Sequence, residues 1–333
     1  MHNIGYYVNN HGTGHTNRLF CFIQELDLLE YEYTLYVFCE NVSRLNNSGI
    51  FSNDKVHIVQ LPTPNWKLER EHVIYHCLPT NYKEYFAPIV KTCIDKKITT
   101  FVSDLSVEVG MAVRLHVDKL VYILLHGERV DSPHQCMFKE ADLLLVPFTK
   151  EFEDEFFNSF SKDFNLQYSG GFLKFQYNKP HSMFPPEYFI DKKNVLIILG
   201  TGGDSFKEDY IDVSSSEYNV VVLGKETDCC KSIRFTNPYS YLKYADVVVA
   251  NAGDSIMHEI AYFNKPYICI PEHRPFYEQE IKAEELSKYN YAMTSNWQGS
   301  LTEDIQNLTA QKNKSSLIEN DKARKYTEAI INL

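Results

Sequence analysis

The sequence predicts an α/β protein of two doubly wound halves, and three observations carry that reading. Short apolar runs alternate with helix-like stretches, the pattern of a parallel sheet with crossover helices. The apolar runs are nearly continuous rather than alternating, as in strands covered on both faces. The alternation breaks once, at residues 170–194, where Gly-Gly and three prolines stand in a stretch with no clear period, and then restarts. At about 150 residues per domain, a chain of 333 residues accommodates two domains.

In the first half the runs Ile4–Val8, Thr34–Phe38, His57–Leu61, Thr99–Ser103, Val121–Leu125 and Leu143–Val146 read as strands. Asn17–Leu29 and Val107–His116 read as helices between them. In the second half Val195–Leu199, Val220–Leu223, Asp246–Ala250 and Tyr267–Ile270 read as strands, with Lys282–Lys288 inside a helix. The tail, about Ser316 to Ile331, reads as a terminal helix that packs back on the first domain. The expected domains are 1–170, a linker 171–194, and 195–333. Doubly wound sheets bind ligands at the carboxyl ends of their strands. Two such Rossmann-like domains are expected to face a central cleft.

Composition narrows the function. The formal net charge is -11. Residues 1–170 carry 15 Lys+Arg against 22 Asp+Glu, and residues 171–333 carry 18 against 22. Neither half has the positive footprint that nucleic-acid binding needs. The eight cysteines are scattered with no CxxC pair, which fits reduced thiols in the cytoplasm. The N-terminus does not read as a signal peptide, and no apolar run reaches the ~18 residues of a membrane span. Residues 64–70 and 81–86 mix basic and aromatic side chains, as interfacial loops do. Scattered surface aromatics are the simpler reading of them.

Four strand-end loops could carry chemistry. "NNHGTGHTNR", residues 9–18, places Gly12 and Gly14 in a tight turn and His15 at a helix start. An imidazole there can act as a general base near neutral pH. "LGTGGDSF", residues 199–206, offers Thr201, Gly202, Gly203 and Ser205 as donors suited to a pyrophosphate. "NAGDS", residues 251–255, opens a helix bearing Glu259. A carboxylate in that place can accept hydrogen bonds from a ribose, or be a solvated helix residue. "SDLS", residues 103–106, and "HGERVDSPH", residues 126–134, bring Asp104, Ser106, His126, Glu128, Arg129, Asp131 and His134, a set suited to a hydroxyl-rich ligand.

These loops, in this order, resemble those of the GT-B glycosyltransferases, and in particular the MurG-like members of glycosyltransferase family 28. The likeness is most specific over residues 236–286. There Ala-Asp precedes a strand, a Gly-containing turn and a helical Glu follow, and Lys-Pro and a Pro with a later Gln come next. Departures are Gly127-Glu128-Arg129 in the fourth loop, the acid Asp204 in the second, and the acid Asp254 in the third.

The resemblance implies an inverting, metal-independent transfer of a hexosyl or N-acetylhexosaminyl group. The donor is a UDP-sugar and the acceptor a hydroxyl on a cell-envelope glycan, a glycolipid precursor or a small molecule. Gly14, Thr201, Gly202, Gly203 and Ser205 would lie along the donor and its diphosphate, and Phe235 and Thr236 along the base. Ala252, Gly253, Asp254 and Ser255 would form the turn over the phosphates. Glu259 would hold the ribose, and Glu278 and Gln279 the sugar. His15 would be the base, with Asp104 as second choice. Ser106, His126, Glu128, Arg129, Asp131 and His134 would meet the acceptor. No metal ligand and no cofactor beyond the sugar nucleotide is expected, and the protein is expected in the cytoplasm, with peripheral membrane contact at the inner face as one option. A nucleotide-sugar hydrolase on the same fold, or a binding protein without activity, are the competing readings.

Overall fold

The computed structural model describes residues 2–10, 12–46, 53–65, 73–160, 164–200, 205–214, 216–234, 236–318 and 322–333. The chain divides into two compact units. Unit 1 is Met1–Phe172 with Asn320–Leu333, and unit 2 is Leu173–Glu319.

Unit 1 runs β1 (His2–Tyr7), α1 (Gly14–Leu28), β2 (Tyr33–Cys39), α2 (Val42–Asn46), β3 (Val56–Gln60), α3 (Tyr82–Asp95), β4 (Thr100–Asp104), α4 (Val107–Val113), β5 (Lys119–Ile123), α5 (Ser132–Glu140), β6 (Leu143–Val146), α6 (Glu155–Phe160) and β7 (Leu166–Tyr168). Its strands pair in the order β3-β2-β1-β4-β5-β6-β7, and every pairing is parallel. Unit 2 runs β8 (Lys193–Ile198), β9 (Tyr218–Leu223), β10 (Lys231–Ile233), α7 (Tyr239–Tyr244), β11 (Val247–Ala250), α8 (Asp254–Tyr262), β12 (Tyr267–Cys269), α9 (Glu278–Lys288), β13 (Met293–Thr294) and α10 (Leu301–Asn307). Its order is β10-β9-β8-β11-β12-β13, again all parallel. The final helix α11 (Lys322–Ile331) returns to unit 1.

The central strands are buried on both faces. Val195, Leu196 and Ile197 of β8 and Val248 and Val249 of β11 are all fully inaccessible, which accounts for their unbroken apolar sequence. Helices cover them with apolar stripes. In α3 the stripe is Tyr85, Ile89 and Cys93, spaced by four, and Pro88 is tolerated within it. The sheet order reverses between β1 and β4 in unit 1 and between β8 and β11 in unit 2. Loops leaving neighbouring strands diverge at such a switch point and leave a crevice at the carboxyl ends.

The segment 171–194, read as a linker, is packed into unit 2. Phe175 and Tyr188 are buried. Phe175 meets Tyr239 edge-on at 4.8 Å, and the Tyr188 hydroxyl donates to the Tyr241 carbonyl at 3.1 Å. Its prolines exclude regular structure, but its aromatic rings supply the apolar area that anchors it. The terminal helix is also shorter than the sequence suggests. Lys314–Leu317 forms a separate 3-10 turn in unit 2, and α11 begins at Lys322. No helix among the described residues is long and apolar enough to cross a membrane.

Candidate functional site

The switch point of unit 1 holds a buried cluster of charged and titratable side chains. After β1 the chain turns through Gly12, whose φ of +80° favours glycine. Helix α1 then starts at Gly14, with Thr13 before it giving no side-chain cap. His15 lies in the first turn and Arg18 one turn on, so the two share a helix face. Both turn inward, at 6% and 2% exposure. Opposite them Asp104 ends β4, fully buried.

Arg18 forks onto Asp104, Nε to Oδ2 at 3.2 Å and Nη2 to Oδ1 at 2.9 Å. His15 Nδ1 stands 3.0 Å from the same Oδ1 and 2.8 Å from Arg18 Nη2. Burial alone would push the Asp104 carboxyl up, but Arg18 and His15 overcome this and hold it below the usual carboxylate range. Leu105, directly after it, is in the left-handed region with φ of +65°, a strained position of the kind that collects at functional sites. Below lies a pair of buried hydroxyls, Tyr6 on β1 and Tyr326 on α11, 2.9 Å apart.

A second cluster joins the loop before α3 to the starts of α4 and α5. His76 Nε2 is 2.9 Å from Asp131 Oδ1 and its Nδ1 is 3.4 Å from Glu108 Oε1. Burial would lower the His76 pKa, but the two carboxylates raise it to about 9. Asp131 caps α5, accepting from the His134 backbone N–H at 3.1 Å, and its Oδ2 meets His134 Nδ1 at 2.6 Å. Burial drives His134 the other way, to about 4, with Arg129 adding to the effect against Asp131. The ligand atoms of His76, Asp131 and His134 lie within 4.8 Å of one another, the right residue types for a transition metal. The hydrogen bonding favours protons there instead. Arg129 Nη1 lies 3.4 Å from His134 Nε2. A guanidinium can only donate, so Nε2 is the accepting nitrogen. That leaves the His134 proton on Nδ1, facing Asp131.

Of the expected acceptor set, Glu128 is exposed and Asp131 half-buried. His126 is packed in the core. Its ring is inaccessible and stacks on Phe148 with centroids 3.7 Å apart, and its Nε2 meets the Phe152 carbonyl at 2.6 Å. Arg129 is buried too, its Nε donating to the Leu125 and His126 carbonyls at 3.3 Å each. His134 is likewise 1% exposed. Ser106 is the N-cap of α4, accepting from Val109 N–H at 3.2 Å. These four side chains are buried and bonded within unit 1, where the strand-end loop folds inward.

In unit 2 the corresponding switch point is organised by Asn251, a residue that only its place in "NAGDS" could have marked. Its Oδ1 accepts from Gly253 N–H at 3.1 Å. A Cβ on Gly200 would come 2.9 Å from Asn251 Nδ2, and one on Gly253 would come 3.0 Å from Oδ1. The loops after β8 and β11 therefore meet at this side chain, with glycine on either side for want of room. Ala252 is fully buried, so only its backbone could reach a ligand. Gly253 leaves the start of α8 without a side-chain cap, and uncapped helix N–H groups attract anions.

Asp254 pairs with buried Lys282 of α9, Oδ1 to Nζ 2.5 Å, and Glu278 is 3.6 Å from the same ammonium. This compensates the acid that the sequence placed beside the expected phosphates. Glu259 is pushed up to about 8 by burial, with Lys174 pulling weakly the other way. Gln279 is 6% exposed, and its Oε1 accepts the Glu272 N–H at 2.9 Å. Just before it Phe276 and Tyr277 are both left-handed, with φ of 62° and 53°. Ser205 and Thr236 are exposed. Thr201, Gly202, Gly203 and Phe235, and residues 66–70 of the basic and aromatic stretch, lie outside the described residues.

Known proteins resemble this chain in sequence at one end and in fold throughout. Residues 180–332 match the glycosyltransferase family 28 C-terminal domain. No curated protein matches the sequence as a relative. Among solved structures, MurG of Acinetobacter baumannii covers 100% of this chain and 100% of its own at 12% identity and a TM-score of 0.64. The spinosyn forosaminyltransferase SpnP has 12% identity and a TM-score of 0.66, covering 99% of this chain and 93% of its own. A putative UDP-N-acetylglucosamine 2-epimerase of Listeria monocytogenes has 11% identity and a TM-score of 0.66, covering 98% and 90%. Two parallel-sheet units in this order have the GT-B fold of these structures. Most of the chain's second unit lies within the family 28 C-terminal domain match, and MurG is one of the structures it resembles in fold along its whole length.

Proposed function

We propose that this protein transfers a hexosyl or N-acetylhexosaminyl group from a UDP-sugar to an acceptor hydroxyl, with inversion and without a metal. The observation that carries the reading is His15, held through Nδ1 against the buried Asp104 carboxylate, in a chain whose second unit matches the family 28 domain. The acceptor oxygen gives its proton to His15 Nε2 as it attacks the anomeric carbon. The bond from that carbon to the diphosphate breaks, and UDP leaves with the electron pair. A single displacement inverts the centre. Asp104 orients the imidazole and stabilises the imidazolium that forms.

Unit 2 would hold the donor. The backbone at the start of α8 would face the diphosphate, whose charge helix termini favour without a cation. Glu259 would take the ribose hydroxyls, and Glu278 and the Gln279 amide the sugar. The acceptor would be a polar hydroxyl compound, a glycan or a glycolipid headgroup meeting Glu128 and the His76–Asp131 edge of unit 1.

The first experiment is thermal stabilisation by UDP, UMP, GDP, dTDP, CMP and NAD, each with and without magnesium. A ligand at 100 times its dissociation constant adds about 2.7 kcal/mol. A shift with UDP that ignores magnesium supports the reading; a shift with another nucleotide keeps the mechanism and changes the donor. Absence of any shift sinks it. Transfer assays with His15→Ala follow. Loss of turnover by about 10²–10⁴-fold with UDP affinity kept is expected. Turnover of UDP-sugar to free sugar at full rate without acceptor would make the protein a hydrolase instead.

A further inference from the structure

Cys229 and Cys230 stand side by side in the connector from β9 to β10, and neither belongs to the site described above. The connector is tied to itself. Gly224 N–H donates to the Ile233 carbonyl at 2.9 Å. Thr227 N–H donates to the Ser232 hydroxyl at 3.2 Å, and that hydroxyl donates to the Thr227 carbonyl at 3.4 Å. The two sulfurs carried in this turn are 3.9 Å apart.

Their settings differ. Of the eight cysteines, Cys229 alone is exposed. Thr227 Oγ1 stands 3.0 Å from its sulfur, and a hydroxyl can donate to a thiolate. Cys230 is half-buried and packs on the core of unit 2. Burial, and then the neighbouring Cys229, push the Cys230 thiol up to about 12. Thiolates rather than thiols attack disulfides, so Cys229 is the group that an incoming reagent meets first. Neighbouring Cα atoms lie about 3.8 Å apart, below the roughly 4.4–6.8 Å of ordinary disulfides. A bond between these sulfurs closes a strained ring, and strained, exposed disulfides are the easily reduced ones. The loop it closes is also too short to restrict the unfolded chain much. Such a bond suits being made and unmade, not stapling the fold.

We propose that Cys229 and Cys230 are a reversible dithiol, oxidised to their intramolecular disulfide by small-molecule disulfides of the glutathione kind. The Cys229 thiolate attacks one sulfur of the reagent. A bond forms to Cys229 Sγ, and the other half leaves as a thiolate. Cys230 then gives up its proton and attacks Cys229 Sγ, expelling the second half. The two leaving thiolates take up the two protons that the cysteines release. Two protein thiols are oxidised, and one disulfide is reduced to two thiols. None of this depends on the transfer reaction proposed above.

The test incubates the full chain with oxidised glutathione, blocks remaining thiols with N-ethylmaleimide, and measures tryptic peptides by mass spectrometry. Cleavage after Lys225 and Lys231 isolates the pair in one peptide, residues 226–231, with no other cysteine. The wild-type peptide should lose two hydrogens, carry neither glutathione nor maleimide, and regain both thiols with dithiothreitol. Cys230→Ser should stop with one glutathione on Cys229. Cys229→Ser should react at least about tenfold more slowly. A wild-type peptide that keeps glutathione on Cys229 without closing the ring, or that still takes two maleimides, would overturn the proposal. So would equal rates in the two single variants.

Discussion

The ammonium of Lys282 is fully buried 2.5 Å from the Asp254 carboxylate at the first residue of α8. Removing one partner of a buried pair strands the other charge, at about 3–5 kcal/mol. Lys282→Met should therefore lower the melting temperature sharply. It should also weaken nucleotide binding, because an uncompensated Asp254 repels the diphosphate expected there. Asp254→Asn added to Lys282→Met should recover much of both losses. Calorimetry on the three variants checks this, and a double variant no better than the single would mean the pair is not the cause.

Glu259 gives a pH dependence of definite sign. Its carboxyl, pushed up to about 8, is largely protonated at pH 7, yet ribose hydroxyls are best accepted by the charged form. UDP affinity should rise about tenfold per pH unit from 6 to 8 and then level off. Binding at pH 7 should release a proton, visible as a dependence of the calorimetric heat on buffer ionisation enthalpy. Glu259→Gln should bind more weakly at pH 8 and show neither effect. A flat affinity in the wild type would remove Glu259 from the ribose.

How much could be read from the sequence follows from how locally each feature is encoded. The buried strands were legible because burial on both faces forces unbroken apolar runs. β7 (Leu166–Tyr168), β10 (Lys231–Ile233) and β13 (Met293–Thr294) were missed, being short edge strands with polar residues. His15 and Asp104 were legible as strand-end polar groups, but as rivals for one task. Only the β1–β4 neighbourhood shows them as partners. Arg18 went unassigned because an arginine on a helix ordinarily reads as solvated. The burial of His126 and Arg129 was not legible, because a loop sequence does not reveal which side chains fold inward. Asp254 looked misplaced because its partner lies 28 positions downstream.

His76 holds the 73–77 stretch to α4 and α5 as a cation between two carboxylates. Its pKa of about 9 is above the unfolded value of about 6.5. The stabilisation is thus complete below pH 6.5 and lost as pH rises through 9. With partial solvent screening it amounts to about 1–2 kcal/mol at pH 7. His76→Asn should lose that much at pH 7 and almost nothing at pH 10, measured by urea unfolding. Amide exchange over residues 73–77 should quicken in the variant. Equal destabilisation at both pH values would show that packing, not charge, holds the loop.

The returning helix α11 should matter to the His15 site although it lies at the far end of the chain. Tyr326 is fully buried, packs edge-on against Phe22 and Phe172 at 5.8 and 4.7 Å, and shares a hydrogen bond with Tyr6 beneath Arg18 and Asp104. Tyr326→Phe keeps the packing and leaves the Tyr6 hydroxyl unpartnered, a loss of about 1–3 kcal/mol. Tyr326→Ala adds a cavity and should lose about 3–5 kcal/mol. If α11 only buries area, turnover per folded molecule should be the same in both variants at a temperature where each is folded. If it supports the cluster above it, Tyr326→Phe should already lower kcat while leaving UDP affinity, which we assign to unit 2, untouched. We expect the second result, because the Tyr6–Tyr326 pair neighbours the Asp104 carboxylate that we propose orients His15.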